Sequence, residues 1–294
     1  MPPSSWTAAD LADQQGRRIV ITGGNSGIGL AAARVLSGAG ALVIIAVRDQ
    51  AKGQRAASEI GDDTEVRALD LADLNSVRAF AAETIEPIDV LINNAGVMAP
   101  PLSRTVQGFE IQFGVNHLGH FALTNLLLPI ITDRVVSVSS GAHRRGHIDL
   151  SDLNWERRRY QRWPGYGQSK LANLLFILEL QRRLTAAGSS VRALGAHPGY
   201  AATNLQSHSG SPIMDRMMRL TNRIVAQSQE MGASPTLYAA SEDLPGGSYV
   251  GPNGRSELRG NPTLVGRSAE ASDTKLAAAL WTASEELTGV HSPL

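Results

Sequence analysis

The 294-residue chain contains no cysteine. This excludes disulfides, thiolate nucleophiles and zinc–sulfur centres, and it agrees with a reducing compartment. It also has no charge of one sign in excess, since 27 basic residues balance 27 acidic ones. Such a balance gives no electrostatic footprint for nucleic acid or an anionic membrane surface, which leaves small-molecule chemistry as the expectation. No run of about 18 apolar residues is present to span a bilayer. The start, Met1-Pro2-Pro3-Ser4-Ser5-Trp6, lacks the basic and apolar regions of a secretory signal. These absences lead us to expect a cytoplasmic protein with no integral membrane segment and no nucleic-acid partner. There is no internal repeat, low-complexity tract or Pro/Gly/Ser linker to divide the chain, so one domain is expected over 1–294.

What the chain does have is a glycine turn between two regular elements. Arg18-Ile19-Val20-Ile21-Thr22 is a β-branched apolar run, and it stops at Gly23-Gly24-Asn25-Ser26-Gly27-Ile28-Gly29. The residues from Leu30 to Gly40 are helix formers closed by glycines. Strand, glycine turn and helix in this order let a backbone approach a pyrophosphate and meet its charge with free amide groups. The alternative reading, an ordinary tight turn, is open to any isolated glycine motif.

The same alternation continues along the chain. Strand-like runs at Ala41–Val47, Glu65–Leu69, Ile88–Ile92, Arg134–Ser139 and Val191–Ala196 are separated by helix-like segments at Asp49–Ile60, Asp73–Glu83, 108–128 and Ser169–Ala187. This pattern predicts an α/β fold: a single doubly wound Rossmann domain, with a mostly parallel sheet covered by helices on both faces. A last strand around Ser248–Gly251 and a terminal helix over Asp273–Leu287 complete the reading.

Ligands bind such sheets at the carboxyl ends of the strands, near the reversal of strand order. The residues there are Gly23 to Gly29, Val47-Arg48, Asp70-Leu71, Asn93-Asn94-Ala95-Gly96, Ser139-Ser140 and Pro198-Gly199. The second strand ends without the acid that would hold the ribose hydroxyls of NAD. Arg48 stands there instead and suits a 2′-phosphate, so NADP is preferred over NAD; as an ordinary residue it is a solvated strand-end charge.

The most specific chemical signal is Tyr166-Gly167-Gln168-Ser169-Lys170. The i, i+4 spacing places phenol and ammonium on one helical face at the start of the helix through Leu171, Leu174 and Leu175. A neighbouring cation favours the phenolate, lowering a phenol pKa of about 10 toward the working range. With five tyrosines and three lysines in the chain, chance supplies about 0.05 such pairs.

Together these residues carry a resemblance. Thr22-Gly23-x-x-x-Gly27-x-Gly29, Asn93-Asn94-Ala95-Gly96, Asn116, the serines after the fifth strand, Tyr166-x-x-x-Lys170 and Pro198-Gly199 resemble the short-chain dehydrogenase/reductase family, over roughly Arg17 to Thr203. Asn116-His117-Leu118-Gly119-His120-Phe121, His143 and Ser169-Lys170-Leu171-Ala172-Asn173 are similar to its retinol-dehydrogenase-like and WW-domain-oxidoreductase-like branch. The resemblance implies an NAD(P)-dependent oxidoreductase interconverting a carbonyl and an alcohol on a bulky lipophilic substrate. It implies Tyr166 as general acid or base and Lys170 as the group that lowers the Tyr166 pKa and holds the nicotinamide ribose. Ser140 is implied as partner of the reacting oxygen, and Asn116 as holder of a proton-relay water. Asp70 and Leu71 would border the adenine, Asn93 to Gly96 the adenosine ribose, and Pro198 to Thr203 the nicotinamide end. A long insert, Gly141 to Gly165, separates Ser140 from Tyr166. Helices near 108–128 and 169–187 are expected as a homodimer or tetramer face, with a monomer left open by the branch.

The stretch around 200–228 reads as an amphipathic substrate lid, with Ile213, Met214, Met217, Met218, Leu220, Ile224 and Val225 at helical spacing. Packing on the domain or a subunit contact is the alternative. His117 and His120 lack a third ligand, so no metal is expected, and Arg157-Arg158-Arg159 reads as a solvated face. Two other functions use similar folds. A cofactor-sensing regulator is disfavoured by the intact Tyr166–Lys170 pair. A sugar-nucleotide epimerase or dehydratase is disfavoured by Ser26, where that form needs glycine, and by the short portion after Gly199.

Overall fold

Each expected apolar run becomes a strand. The structure, a computed structural model, describes residues 5–200 and 228–294. Strands β1 (Arg18–Thr22), β2 (Leu42–Val47), β3 (Thr64–Ala68), β4 (Ile88–Asn93), β5 (Ile131–Val138), β6 (Arg192–Ala196), β7 (Tyr249–Pro252) and β8 (Pro262–Leu264) form one sheet in the order β3-β2-β1-β4-β5-β6-β7-β8. All neighbours pair parallel except β7 and β8. Ile19 sits between Val43 and Val90, so the strand order reverses between β1 and β4. That switch point places the glycine turn beside Asn94-Ala95-Gly96.

Alternation along the central strands feeds two cores. Val20, Ile44, Leu91 and Val135 join one, which contains helices α3 (Leu74–Glu83), α5 (Gly119–Leu127), α6 (Arg162–Ala186) and α8 (Thr274–Thr288). Ile19, Ile21, Val43, Ile45 and Val136 join the other, covered by α1 (Gly27–Gly38), α2 (Gln50–Ile60) and α7 (Gln229–Ser241). Period-2 side chains on strands buried from both sides require this division. Several helix starts follow directly from acidic residues. Asp49, Asp73 and Asp273 accept first-turn amides of α2, α3 and α8.

Three local readings change, and one helix, α7, stands in a stretch to which the sequence alone assigns no element. The segment expected over 108–128 starts at α4 (Ile111–Phe113), because Glu110 accepts the amides of Gln112 and Phe113. It then passes through a π-helical turn, Gly114–Leu118, before α5. Helix α6 begins at Arg162 rather than Ser169, so Tyr166 lies inside it; Pro164 sits in the first turn, where a missing amide costs nothing. Helix α7 forms although it contains Gly232 and Pro235, the two residue types of lowest helix propensity. Finally, β7 is followed by the antiparallel β8, with Val250 opposite Leu264.

Helix α8 packs against α6 and against the π-helical turn before α5. Trp281 stacks on Phe176 of α6 at 5.7 Å, and Ser284 bonds His117 at 2.9 Å. The insert before Tyr166 is ordered around buried Asp152, whose carboxylate accepts the amides of Glu156, Arg157 and Arg158. Arg158 also stacks on Trp155 at 3.8 Å and bonds Gln168 at 2.7 Å, so it is part of the packing rather than a solvated face. The lid residues Ile213 to Val225, and Thr203, lie outside the described residues. Among the described residues no helix is long and apolar enough to cross a membrane.

Candidate active site

One cleft of about 1050 Å³ runs along the carboxyl ends of the strands. Gly23, Asn25, Ser26, Gly27, Ile28 and Gly29 line one end, with Arg48, Asp70, Leu71, Ala95 and Gly96. Ser140, Tyr166, Lys170, Pro198 and Gly199 line the other. The structure therefore gathers these residues from across some 180 positions into a single space.

At the glycine end, backbone does the shaping. Gly23 and Gly27 have φ of 67° and 57°, a region costly for other residues. A Cβ on Gly29 would stand 2.5 Å from both the Gly23 carbonyl and Asn94 Nδ2, so the start of α1 closes directly onto the end of β1. The Ser26 side chain does not cap α1. First-turn amides thus remain for an anion. The neighbouring turn is tied in by Thr22, whose Oγ1 accepts the amides of Asn94 and Ala95, each at 2.9 Å, and donates to His120 Nε2 at 2.9 Å. His120 Nδ1 donates in turn to the Asn116 carbonyl at 3.0 Å. Both His117 and His120 are buried and neutral, their pKa values depressed to about 3 and about 4 by burial.

Two assigned residues stand outside the cleft wall. Asn93, 1% exposed, turns its amide to Thr124 Oγ1 at 2.8 Å, because as the last residue of β4 it faces the helix layer. Its side chain does not line the cleft; Asn94, Ala95 and Gly96 do. Asn116 is fully buried behind Gly96. Its Nδ2 donates to the Val97 carbonyl and to Ser169 Oγ, and its Oδ1 accepts the Val97 amide at 2.8 Å. A Cβ placed on Gly96 would be 3.0 Å from that oxygen and 3.6 Å from Lys170 Nζ, so glycine is what brings the three together.

At the other end the two serines diverge. Ser139 Oγ donates to the Lys170 carbonyl at 2.7 Å inside the core. Ser140 opens the turn Gly141–Arg145 and lines the cleft, as the alternation of a strand end requires. Lys170 Nζ donates to the Val138 carbonyl at 3.0 Å and lies 5.8 Å from the Tyr166 ring centre. Burial brings the Lys170 pKa down to about 8. Burial likewise pushes the Tyr166 phenol up to about 12, against the pull of its hydrogen bond with Ser140. Burial thus acts against the lowering expected from Lys170, whose ammonium is held on the Val138 carbonyl.

Several contributors were not legible in advance. Lys52 and Arg55 line the cleft beside Arg48, and their i, i+3 spacing on one face of α2 is the signal that marks them. His197 and Glu257 gave no signal. Gly199 N–H donates to His197 Nδ1 at 3.3 Å, so His197 Nε2 donates to Glu257 at 3.0 Å, and Arg144 reaches the same carboxylate at 2.9 Å. Glu257 thereby ties the turn after Ser140 to the turn at Pro198-Gly199. It does so from a left-handed backbone, φ 56°, which a packed surrounding must hold in place.

A nicotinamide dinucleotide fits this chain on structural grounds. The glycine turn lines one end of the cleft, and the first-turn amides of α1, left uncapped by Ser26, suit a pyrophosphate there. Fold and site thus define an NAD(P)-dependent oxidoreductase. The short chain dehydrogenase family pattern matches residues 17–213, and the chain belongs to that family. Human retinol dehydrogenase 13 is 42% identical over 296 residues, covering 95% of this chain and 86% of that protein. Human retinol dehydrogenase 12 is 43% identical over 291 residues, covering 94% and 87%. Among solved structures, an uncharacterized protein from Mycobacterium paratuberculosis superposes with a TM-score of 0.87 at 56% identity, covering 99% of this chain and all of that one. A 3-ketoacyl-(acyl-carrier-protein) reductase from Brucella melitensis complexed with NADH, 23% identical with a TM-score of 0.62 and 80% and 96% coverage, shares the fold.

Proposed function

We propose that this chain interconverts a carbonyl and an alcohol on a lipophilic substrate, using NADP(H) in preference to NAD(H). The observation that carries the reading is the juxtaposition of Ser140, Tyr166 and Lys170 in the cleft that the glycine turn opens. The bound dinucleotide supplies or accepts the hydride. The chain's part is proton transfer and orientation. Tyr166 keeps its proton at neutral pH because burial raises its pKa, so in the reductive direction it donates that proton to the substrate oxygen. Ser140 Oγ hydrogen-bonds the same oxygen. The Lys170 ammonium stabilises the phenolate left behind and holds the nicotinamide ribose hydroxyls. Asn116 Oδ1, on the Lys170 side of Gly96, keeps a lone pair for the relay water.

Arg48, Lys52 and Arg55 support the NADP preference, because a 2′-phosphate there meets three cations; the one acid beside Arg48, Asp49, is occupied capping α2 and pairing with Lys52 at 3.2 Å. The names of the relatives, retinol dehydrogenase and, for a mouse protein 39% identical over 298 residues, polyprenol dehydrogenase, support an apolar substrate. Titration of the purified protein with each cofactor is expected to give an NADPH dissociation constant about tenfold below that of NADH, a margin of one charge-assisted contact. Arg48→Ala is expected to narrow this margin. Equal constants for the two cofactors would remove the preference.

A further inference from the structure

We propose that Trp163 sets the substrate specificity of this cleft, forming with the loop 97–101 the two walls of a preformed groove for elongated apolar carbonyl compounds. The inference rests on the reading that the carbonyl is presented to Tyr166. Trp163 lies one turn before Tyr166 on α6, its ring edge-on to the phenol at 6.2 Å and 83°. It lines the cleft and is 53% exposed, whereas Trp6, Trp155 and Trp281 are 3%, 6% and 1% exposed. A large aromatic left in water beside the reacting groups is a surface that an apolar ligand would cover.

Met98, Pro100 and Pro101 line the same cleft from the loop after β4. Between them Ala99 has a φ of 49°, a strained conformation for a residue with a Cβ. The loop is held there by buried polar groups. Gln112 Oε1 accepts the Ala99 amide at 2.8 Å, while Gln112 Nε2 donates to Tyr160 Oη at 2.8 Å and to the Arg162 carbonyl at 2.9 Å. Tyr160 Oη then donates to the Glu110 carboxylate at 3.0 Å. Arg162 adjoins Trp163, so Gln112 joins the loop to the very turn of α6 that carries the indole. The groove therefore exists before any ligand arrives, and its walls are one indole and two prolines with a methionine. This also gives a role to the insert before Tyr166: it supplies Tyr160 and Trp163.

Acrylamide quenching of tryptophan fluorescence tests the groove without turnover, because Trp163 is the exposed indole of the four. In the presence of saturating NADPH, 1-decanol is expected to lower the accessible fraction and to shift emission to shorter wavelength, with no such change in Trp163→Phe. In turnover, Trp163→Ala is expected to lower the decanal-to-propanal ratio of kcat/KM about tenfold, through KM for decanal, and Trp163→Phe to restore most of it. Unchanged quenching with decanol, or an unchanged ratio in Trp163→Ala, would overturn the proposal. If the wild-type protein binds NADPH and is protected by decanol yet reduces neither aldehyde, the groove stands and the carbonyl reading fails.

Discussion

The two ends of the cleft are built by different means. The phosphate end is local and made of backbone: one strand, one turn and one helix within Arg18–Gly38, shaped by what glycine lacks. The reacting end is assembled from side chains that lie far apart in sequence. Val138 holds Lys170, Gln112 holds the Ala99 loop, and Glu257 joins the turns after β5 and β6. Steric exclusion of a Cβ governs the first, whereas buried polar networks govern the second. Single substitutions should therefore damage the first by clash and the second by loss of a partner.

Gly29→Ala tests the clash directly. Its Cβ has two polar atoms at 2.5 Å, one of them backbone, so α1 must move away from β1. We expect NADPH affinity to fall about 100-fold with the fold retained, the scale of an overpacking penalty. An unchanged dissociation constant would show that the cradle is looser than its geometry. At the other end, Lys170 carries a buried charge whose folded pKa of about 8 lies below its ordinary value. Between there and about 10.5 the unfolded chain binds a proton that the folded chain does not, so stability rises with pH through that window. Lys170→Met should be the more stable protein below the window, by at most about 3 kcal/mol, with the difference vanishing above it. Denaturant titrations at several pH values measure this, and a pH-independent difference would show that the charge is not what burial penalises.

The same contrast explains what could be read from the chain alone. The strands, the glycine cradle and the Tyr166–Lys170 pair are periodic or local signals, and they reappear with boundaries shifted by a few residues. The burial of the Asn93 side chain was not legible because a strand's last residue points to one face or the other, and the motif does not say which. Helix α7 was hidden because Gly232 and Pro235 break propensity while packing overrides it. Glu257, Gln112 and Tyr160 gave no local signal at all, since each acts through partners tens of residues away. The opposing effect of burial on the phenol was hidden for a related reason: the i, i+4 spacing gives proximity to Lys170 but not the depth at which Tyr166 lies. Helix α8 showed itself as a helix, yet nothing in its sequence announced that it would cover α6.

The account's central claim is that the two ends are separable, one holding the dinucleotide and the other moving the proton. Tyr166→Phe removes only the phenolic oxygen from the wall of the reacting end. Measured side by side for wild type and variant, NADPH affinity by fluorescence titration and single-turnover reduction of decanal give the decisive pair. The account predicts a dissociation constant within about twofold of wild type and turnover reduced by about 100-fold or more, the scale of a lost general acid. Undiminished turnover in the variant would contradict it.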